Sequence, residues 1–435
     1  MRFRIDNIAK VKSADIKLNG LTVIAGENGS GKSTVGKMLF SVIQVLKSTH
    51  NNSVRKQHND LLNYINRLYM RLNSCNLSTQ AYIDSLPRSY QLGTQLLDGS
   101  LSVEQLRDMV ESLLANVDNL TPRTRANIEK DINNISICVN RFNNRAAVQT
   151  ASIQRIIESE FMNKVCSYGT DEARVSLDID EDGGEANISF SIVNDKVKNV
   201  TSGGEEFLRD ATYVESPLYL HMLESLRGSI QYIELGPRPS FRAMIPTHIK
   251  DFVEKMIYAK ASLDLFEDYS TLLKEIEDKI HGSFSYDEES NKLFYYSNGN
   301  RFSPINTASG TKTFGVLQLL LQSHVIGTDR ILLWDEPENH LHPEWQVAFA
   351  EIMLNMVAQG IPIVISTHSP YFIQAVRYYA AKCGLENSVD YYFAEEDESG
   401  FSTLEEVTGD LNRVFRKLSR PLSGVMDVDK IRKHE

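Results

Sequence analysis

Residues 21–36 read LTVIAGENGSGKSTVG, a short apolar run that passes through a glycine-rich loop into the start of a helix. Within it, Gly26-x-x-x-x-Gly31-Lys32-Ser33 has the spacing of a phosphate-binding P-loop, in the strand-before, helix-after context such a loop requires. Glycines let the backbone curl so that its N–H groups converge on phosphate at a helix N-terminus, where the helix dipole favours negative charge. Gly26, Glu27, Asn28, Gly29, Ser30, Gly31, Lys32, Ser33 and Thr34 are therefore the expected nucleotide contacts. Lys32 is expected to reach the β- and γ-phosphates, and the Ser33 hydroxyl to ligate Mg2+, which makes ATP and Mg2+ the expected cofactors.

Far downstream, residues 331–343 read ILLWDEPENHLHP. Here a second apolar strand delivers two adjacent carboxylates, Asp335 and Glu336, at its carboxyl end, where open parallel sheets place their ligands. Asp335 is expected to hold Mg2+, and Glu336 to orient and deprotonate an attacking water, because phosphoryl transfer depends on positioning and charge neutralisation. The next apolar strand, residues 363–365, leads into Ser366-Thr367-His368-Ser369, which makes His368 the expected sensor of the γ-phosphate. A helix lies between these strands, with Pro343 in its first turn and Gly360 just past its end. Lys32, Glu336 and His368 are thus the expected catalytic residues, and Ser33 and Asp335 the expected metal ligands.

Outside these motifs the chain has an ordinary soluble character. It has 435 residues, 42% of them hydrophobic and 24% charged, enough for a substantial core and for two or three domains. No apolar run approaches a membrane span and the first residues lack the apolar stretch of a secretory signal, so a cytoplasmic protein without membrane attachment is expected. Cys75, Cys138, Cys166 and Cys383 have no paired spacing, which argues against a disulfide framework or a zinc site. A formal net charge of −11 opposes non-specific attachment to nucleic acid, although a local basic groove is compatible with it.

Five segments emerge. Residues 1–47 read as strands, the P-loop and a helix. Residues 48–169 are polar, Asn-rich and helical; Leu61, Ile65, Leu68 and Leu72 make one apolar stripe, Ser102 with Gln105 forms a capping box, and Thr121-Pro122 starts another helix. In residues 170–281 a hairpin around residues 182–184 precedes strands at about 211–215 and 230–235, with further helices. The motif-bearing end follows at residues 282–389, opened by a hairpin at about 284–296. Residues 390–435 read as a strand, an acidic turn at 395–398 and an amphipathic helix.

One further element matters: Ser309-Gly310-Thr311-Lys312 introduces a helix ahead of Asp335. On spacing alone this is no more than an N-cap. The order of motifs, however, resembles that of the ATP-binding cassette (ABC) superfamily: P-loop, helical insertion, signature loop, Walker B strand with its glutamate, and switch histidine. The likeness rests on residues 1–47 and 282–375. It implies an α/β fold, an ABC-type P-loop NTPase head with a mixed sheet flanked by helices and a large helical insertion. By the same resemblance two heads sandwich ATP as a homodimer or higher homo-oligomer, and Ser309, Gly310 and Lys312 contact the nucleotide held by the opposite head. The signature departs from the transporter pattern Leu-Ser-Gly-Gly-Gln, with Ala308, Thr311 and Lys312 at its first, fourth and fifth positions. For the glutamine loop of that family the chain offers two positions, Glu215 and Gln231.

The segment from Pro337 to Pro343 resembles the RecF, SMC and OLD side of the superfamily rather than its transporters. His340 and His342 lack a third ligand and read as loop contacts. The chain has neither the Cys-x-x-Cys nor the long coiled coil of zinc-hook repair ATPases. Glu395 with Asp427 and Asp429 superficially fits a TOPRIM nuclease, but too little chain surrounds these acids to build one. What remains is similar to the stand-alone ATPases of bacterial anti-phage systems of the Septu and PARIS types, which implies a separately encoded effector, a nuclease or toxin. A RecF-like repair ATPase on duplex DNA is the alternative, and nucleic acid is a possible partner in either reading.

Overall fold

The computed structural model describes residues 1–435 except 52–53, 76–85, 116–120, 144, 163, 182–183, 205–209, 236–244, 259–268, 288, 291 and 427–435. In chain order the first elements are β1 (Arg2–Ile8), β2 (Val11–Lys17), β3 (Leu21–Gly26) and α1 (Lys32–Asn51). There follow α2 (Val54–Ser74), α3 (Ser89–Asp98), α4 (Val103–Leu114), α5 (Pro122–Asn143) and α6 (Arg145–Phe161). Next come β4 (Glu172–Glu181), β5 (Gly184–Val193), β6 (Lys196–Gly204), β7 (Asp210–Val214), α7 (Tyr219–Leu235), α8 (Thr247–Tyr258) and α9 (Ser270–Ile280). A small sheet of β8 (Ser283–Tyr286), β9 (Leu293–Ser297) and β10 (Asn300–Phe302) leads to α10 (Ser309–Gln322), β11 (Arg330–Asp335), α11 (Pro343–Ala358), β12 (Ile363–Thr367) and α12 (Pro370–Cys383). The chain closes with β13 (Val389–Glu396), β14 (Ser402–Glu406) and α13 (Leu411–Met426).

One large mixed sheet carries the head, in the order β6-β5-β4-β1-β2-β14-β13-β3-β12-β11-β7. Its run β13-β3-β12-β11-β7 is parallel throughout, so the carboxyl ends of the P-loop strand and both downstream motif strands share one edge. These strands are near-continuous apolar runs because both of their faces are covered. Val23, Leu332, Trp334, Ile363, Ile365 and Phe393 enter one core, and Ile24, Leu333, Val364 and Tyr392 enter the other. The second core also takes Val35, Met38, Leu39 and Phe40 of α1, which fixes that helix across the sheet. This is a P-loop NTPase fold, a mixed sheet flanked by helices.

The chain divides into two compact units, Met1–Lys47 with Ile153–Glu435, and Ser48–Ser152. The second unit has a core of its own: the stripe Leu61, Ile65, Leu68 and Leu72 is buried with Leu92, Leu96, Leu106, Ile128 and Ile132. Its α4 begins at the capping box, where Ser102 Oγ accepts from the Gln105 N–H at 3.1 Å and Gln105 Oε1 accepts from the Ser102 N–H at 2.8 Å.

Several boundaries differ from the sequence reading. The compact helical unit ends at Ser152, and the remainder of the segment taken to residue 169 belongs to the head, because Ile153 and Ile157 of α6 pack into the sheet core. Residues 230–235 are the end of helix α7, not a strand. Leu220, Leu223 and Ile230 are buried at helical spacing, so the apparent alternation over a few residues was the tail of a longer period. β6 and β14 are further strands, beyond those the sequence pattern predicts. The acidic stretch 395–398 is divided, with Glu395 and Glu396 still in β13. Asp427, Asp429 and the turn residues 182–183 lie outside the described residues.

Candidate nucleotide site

At the end of β3 the backbone curls back before α1. Gly31 has φ +86°, a left-handed conformation, and a Cβ there would stand 2.6 Å from Val11 Cγ2, so no other residue fits without strain. Lys32 is 4% exposed, and its ammonium donates to the carbonyls of Gly26 at 3.0 Å and Glu27 at 2.8 Å. Glu27, Asn28 and Gly29 are exposed at the tip of the loop, while the Ser30 Oγ is buried without a hydrogen-bond partner. Ser33 and Thr34 occupy the half-buried first turn of α1, which contains no acidic side chain to answer its amides. An orphan hydroxyl, a helix N-terminus with no acidic side chain in its first turn, and a buried ammonium held by two loop carbonyls beside Glu336 form a donor set that fits phosphate.

The carboxyl edge of β11 faces this loop. Asp335 Oδ1 accepts from the Ser366 hydroxyl. Glu336 has φ +46°, an uncommon conformation for a side-chain-bearing residue that costs on the order of 1–3 kcal/mol. Its N–H donates to the Ser366 carbonyl at 3.0 Å, which holds the turn. Glu336 Oε1 lies 3.5 Å from Lys32 Nζ and 3.2 Å from His368 Nδ1, and Oε2 accepts from Asn339 Nδ2 at 3.0 Å. His368, beside it, holds the Glu336 carboxyl down at about 2, with Asn339 and Lys32 adding to the effect against its burial. His368 is in turn raised, mainly by Glu336, against burial and aided by Glu338.

The structure thus brings Lys32, Glu336 and His368 together, with Asp335 on the same edge. A site of this kind suits Mg2+, which takes one or two protein oxygens and completes its shell with phosphate oxygens and water. Ser33 and Asp335 are oxygen donors of that type, and among the described residues no cluster of three or more His, Cys, Asp or Glu offers a closed cage.

Ser309, Gly310 and Lys312 stand apart. They lie in the first turn of α10, whose N-cap is Ala308 with no side-chain cap, so Ser309 begins the helix rather than capping it. A Cβ on Gly310 would come within 3.1 Å of Trp345, and Lys312 is 4% exposed. Among the described residues no hydrogen bond or ion pair joins these three to the P-loop, Asp335 or Glu336. His342 caps α11, its Nδ1 accepting from the Glu344 N–H at 3.4 Å.

The sequence reading missed Glu338. This side chain is buried, and its Oε1 accepts from the Thr367 hydroxyl at 2.6 Å and the His368 N–H at 2.9 Å, tying the loop after β11 to the end of β12. Burial pushes its carboxyl up despite these bonds. An acid between Pro337 and Leu341, both buried, was the available signal.

These charges imply a pH dependence. The stabilisation from Glu336, whose value is depressed, is full above its ordinary value of 4.5 and is lost as pH falls towards about 2. That from His368, raised above 6.5, is full below that value and is lost as pH rises through the folded one. His248 behaves alike: burial lowers it, but Glu160 and Glu215 outweigh that and raise it. Without nucleotide, the melting temperature should fall as pH rises from about 6 to 9, and His368→Ala should remove part of that fall. A calorimetric slope identical in wild type and variant would show that the His368–Glu336 pair contributes nothing.

Residues 188–374 match a family model described as an AAA domain, putative AbiEii toxin, Type IV TA system. Protein ea59 of Escherichia phage lambda is 31% identical over 91 residues, which span 21% of this chain and only 17% of that protein. The SMC head domain from Thermotoga maritima aligns with a TM-score of 0.40 and 11% identity, covering 93% of this chain and 98% of that one. The Smc head domain with an extended coiled coil from Pyrococcus furiosus, bound to the C-terminal domain of ScpA, aligns with a TM-score of 0.41 and 12% identity, covering 96% and 98%. No helix among the described residues is long and apolar enough to cross a membrane.

Proposed function

We propose that the chain is an ABC-type ATPase that binds ATP with Mg2+, hydrolyses it, and acts as a homodimer closed around the nucleotide. The observation that carries this reading is the meeting of Lys32, Glu336 and His368 at one sheet edge, within 3.5 Å of one another through Glu336 Oε1. Phosphate oxygens take over the Lys32 donors now held by loop carbonyls, and the α1 amides and Ser30 hydroxyl complete the cradle. Ser33 and Asp335 hold Mg2+, which supplies neutralisation of the phosphate charge. His368 turns to the γ-phosphate. Glu336, relieved of its two cationic neighbours, orients a water and accepts its proton as the water attacks in line. Ser309, Gly310 and Lys312 complete the site of a second copy.

We further propose that this cycle regulates a separately encoded nuclease or toxin in anti-phage defence, held through the helical unit or the C-terminal segment. The toxin–antitoxin wording of the matched family supports that direction. The test is phosphate release by the full chain with ATP and Mg2+, against EDTA, with mass measured by light scattering in each condition. Mg2+-dependent release and an ATP-dependent doubling of mass are expected. Absence of nucleotide binding would end the reading, and a constant monomer mass would end its dimer.

A further inference from the structure

On β7, next to the motif strand β11, Tyr213 is 2% exposed and its hydroxyl makes no hydrogen bond. The two strands run parallel with Tyr213 opposite Leu333 and Val214 opposite Trp334, so Tyr213 lies just inside the edge where Asp335 ends β11. Tyr213 and Leu333 enter the same core, the one that contains α1. The tyrosine lines a cavity of about 10 Å³ shared with Lys32, Gly36, Asp335 and Ser366. Helix α1 gives way to the ring: a Cβ on Gly36 would stand 2.9 Å from Tyr213 Cε2. Glycine within a helix is less favourable than alanine, so accommodating the tyrosine is itself destabilising.

The ring is also braced. His248, 1% exposed on α8, packs edge-on against it with centroids 5.1 Å apart. His248 Nδ1 is 2.6 Å from Glu160 Oε2 and Nε2 is 3.2 Å from Glu215 Oε2, so each ring nitrogen faces a carboxylate, an arrangement that favours the imidazolium. Glu215 Oε1 accepts from Lys37 Nζ at 2.6 Å, which ties the brace back to α1. A buried hydroxyl without a partner is unfavourable, and phenylalanine would fill the same space without it. Packing alone therefore leaves the hydroxyl unexplained.

We propose that Tyr213 is a positioning residue of the metal site, its hydroxyl donating to the Asp335 carboxylate as that group turns to hold Mg2+. The inference rests on the ATP and Mg2+ reading above. Asp335 uses one oxygen on Ser366, and a carboxylate offers about four acceptor sites, so capacity remains for both the tyrosine and the metal. The brace through His248 and Glu215 fixes the phenol so that little motion is needed, and Gly36 is the consequence of its presence.

Tyr213→Phe in the full chain tests this, with binding of a fluorescent ATP analogue titrated at varied MgCl2 and in EDTA, and with thermal unfolding alongside. The expected result is an unchanged or higher melting temperature, unchanged binding in EDTA, and about a tenfold rise in the Mg2+ concentration for half-maximal Mg2+-dependent binding. A purely structural tyrosine would leave that concentration unmoved, which would overturn the inference alone. A wild-type chain that binds no nucleotide with or without Mg2+ would overturn the underlying reading as well.

Discussion

Glu336→Gln is expected to keep ATP and lose turnover by about a hundredfold to ten-thousandfold, the range for removal of a positioned general base. Glutamine preserves the length of the side chain but cannot accept the proton of the attacking water. It also relieves none of the backbone strain at φ +46°, so the loop stays as it is. Phosphate release measures the loss. ATP retained through gel filtration, together with light scattering, should show a nucleotide-loaded dimer accumulating. Hydrolysis at the wild-type rate would remove Glu336 from the role of base and move attention to Glu338, the other carboxylate near His368, 3.6 Å from its Nδ1.

Lys32→Ala should weaken ATP binding by about a hundredfold or more, since it deletes at least two charge-assisted hydrogen bonds worth roughly 1.5–3 kcal/mol each. Because Lys32 also helps hold Glu336 ionised, the variant should melt at a lower temperature near neutral pH. Lys10→Ala is the control. Its ammonium would stand 3.9 Å from a Cβ added at Gly29 of the same loop and pairs with Glu396 at 3.8 Å, but its side chain is 55% exposed. If loss of Lys10 weakens binding as much as loss of Lys32, general positive charge rather than a built phosphate contact explains the affinity.

The places of Lys32 and Glu336 at one sheet edge follow from local sequence for a simple reason. Lys32 is set by a loop whose glycines are needed within the loop itself, and Glu336 by its place after an apolar strand, so local sequence carries both. The same holds for His368 and for the stripe from Leu61 to Leu72. Where a local window misled, a longer-range contact had decided the outcome. Ile230 looked like part of a strand until Leu220 and Leu223 showed a helical face buried against the core. Ile153 looked like part of the helical lobe, yet it packs with the sheet.

By itself, the amino-acid sequence determined the P-loop, the strand ends that carry Asp335, Glu336 and His368, and the α/β character of the head, because each depends on neighbours in the chain. Tertiary structure alone decided that Glu336 bridges Lys32 and His368, that Glu338 ties together the two loops beside it, and that Tyr213 displaces a Cβ from residue 36. Those relations join residues far apart in the chain across parallel strands and through a shared core. Their physical cause is burial: a charge or hydroxyl removed from water must find its partner wherever the fold places one.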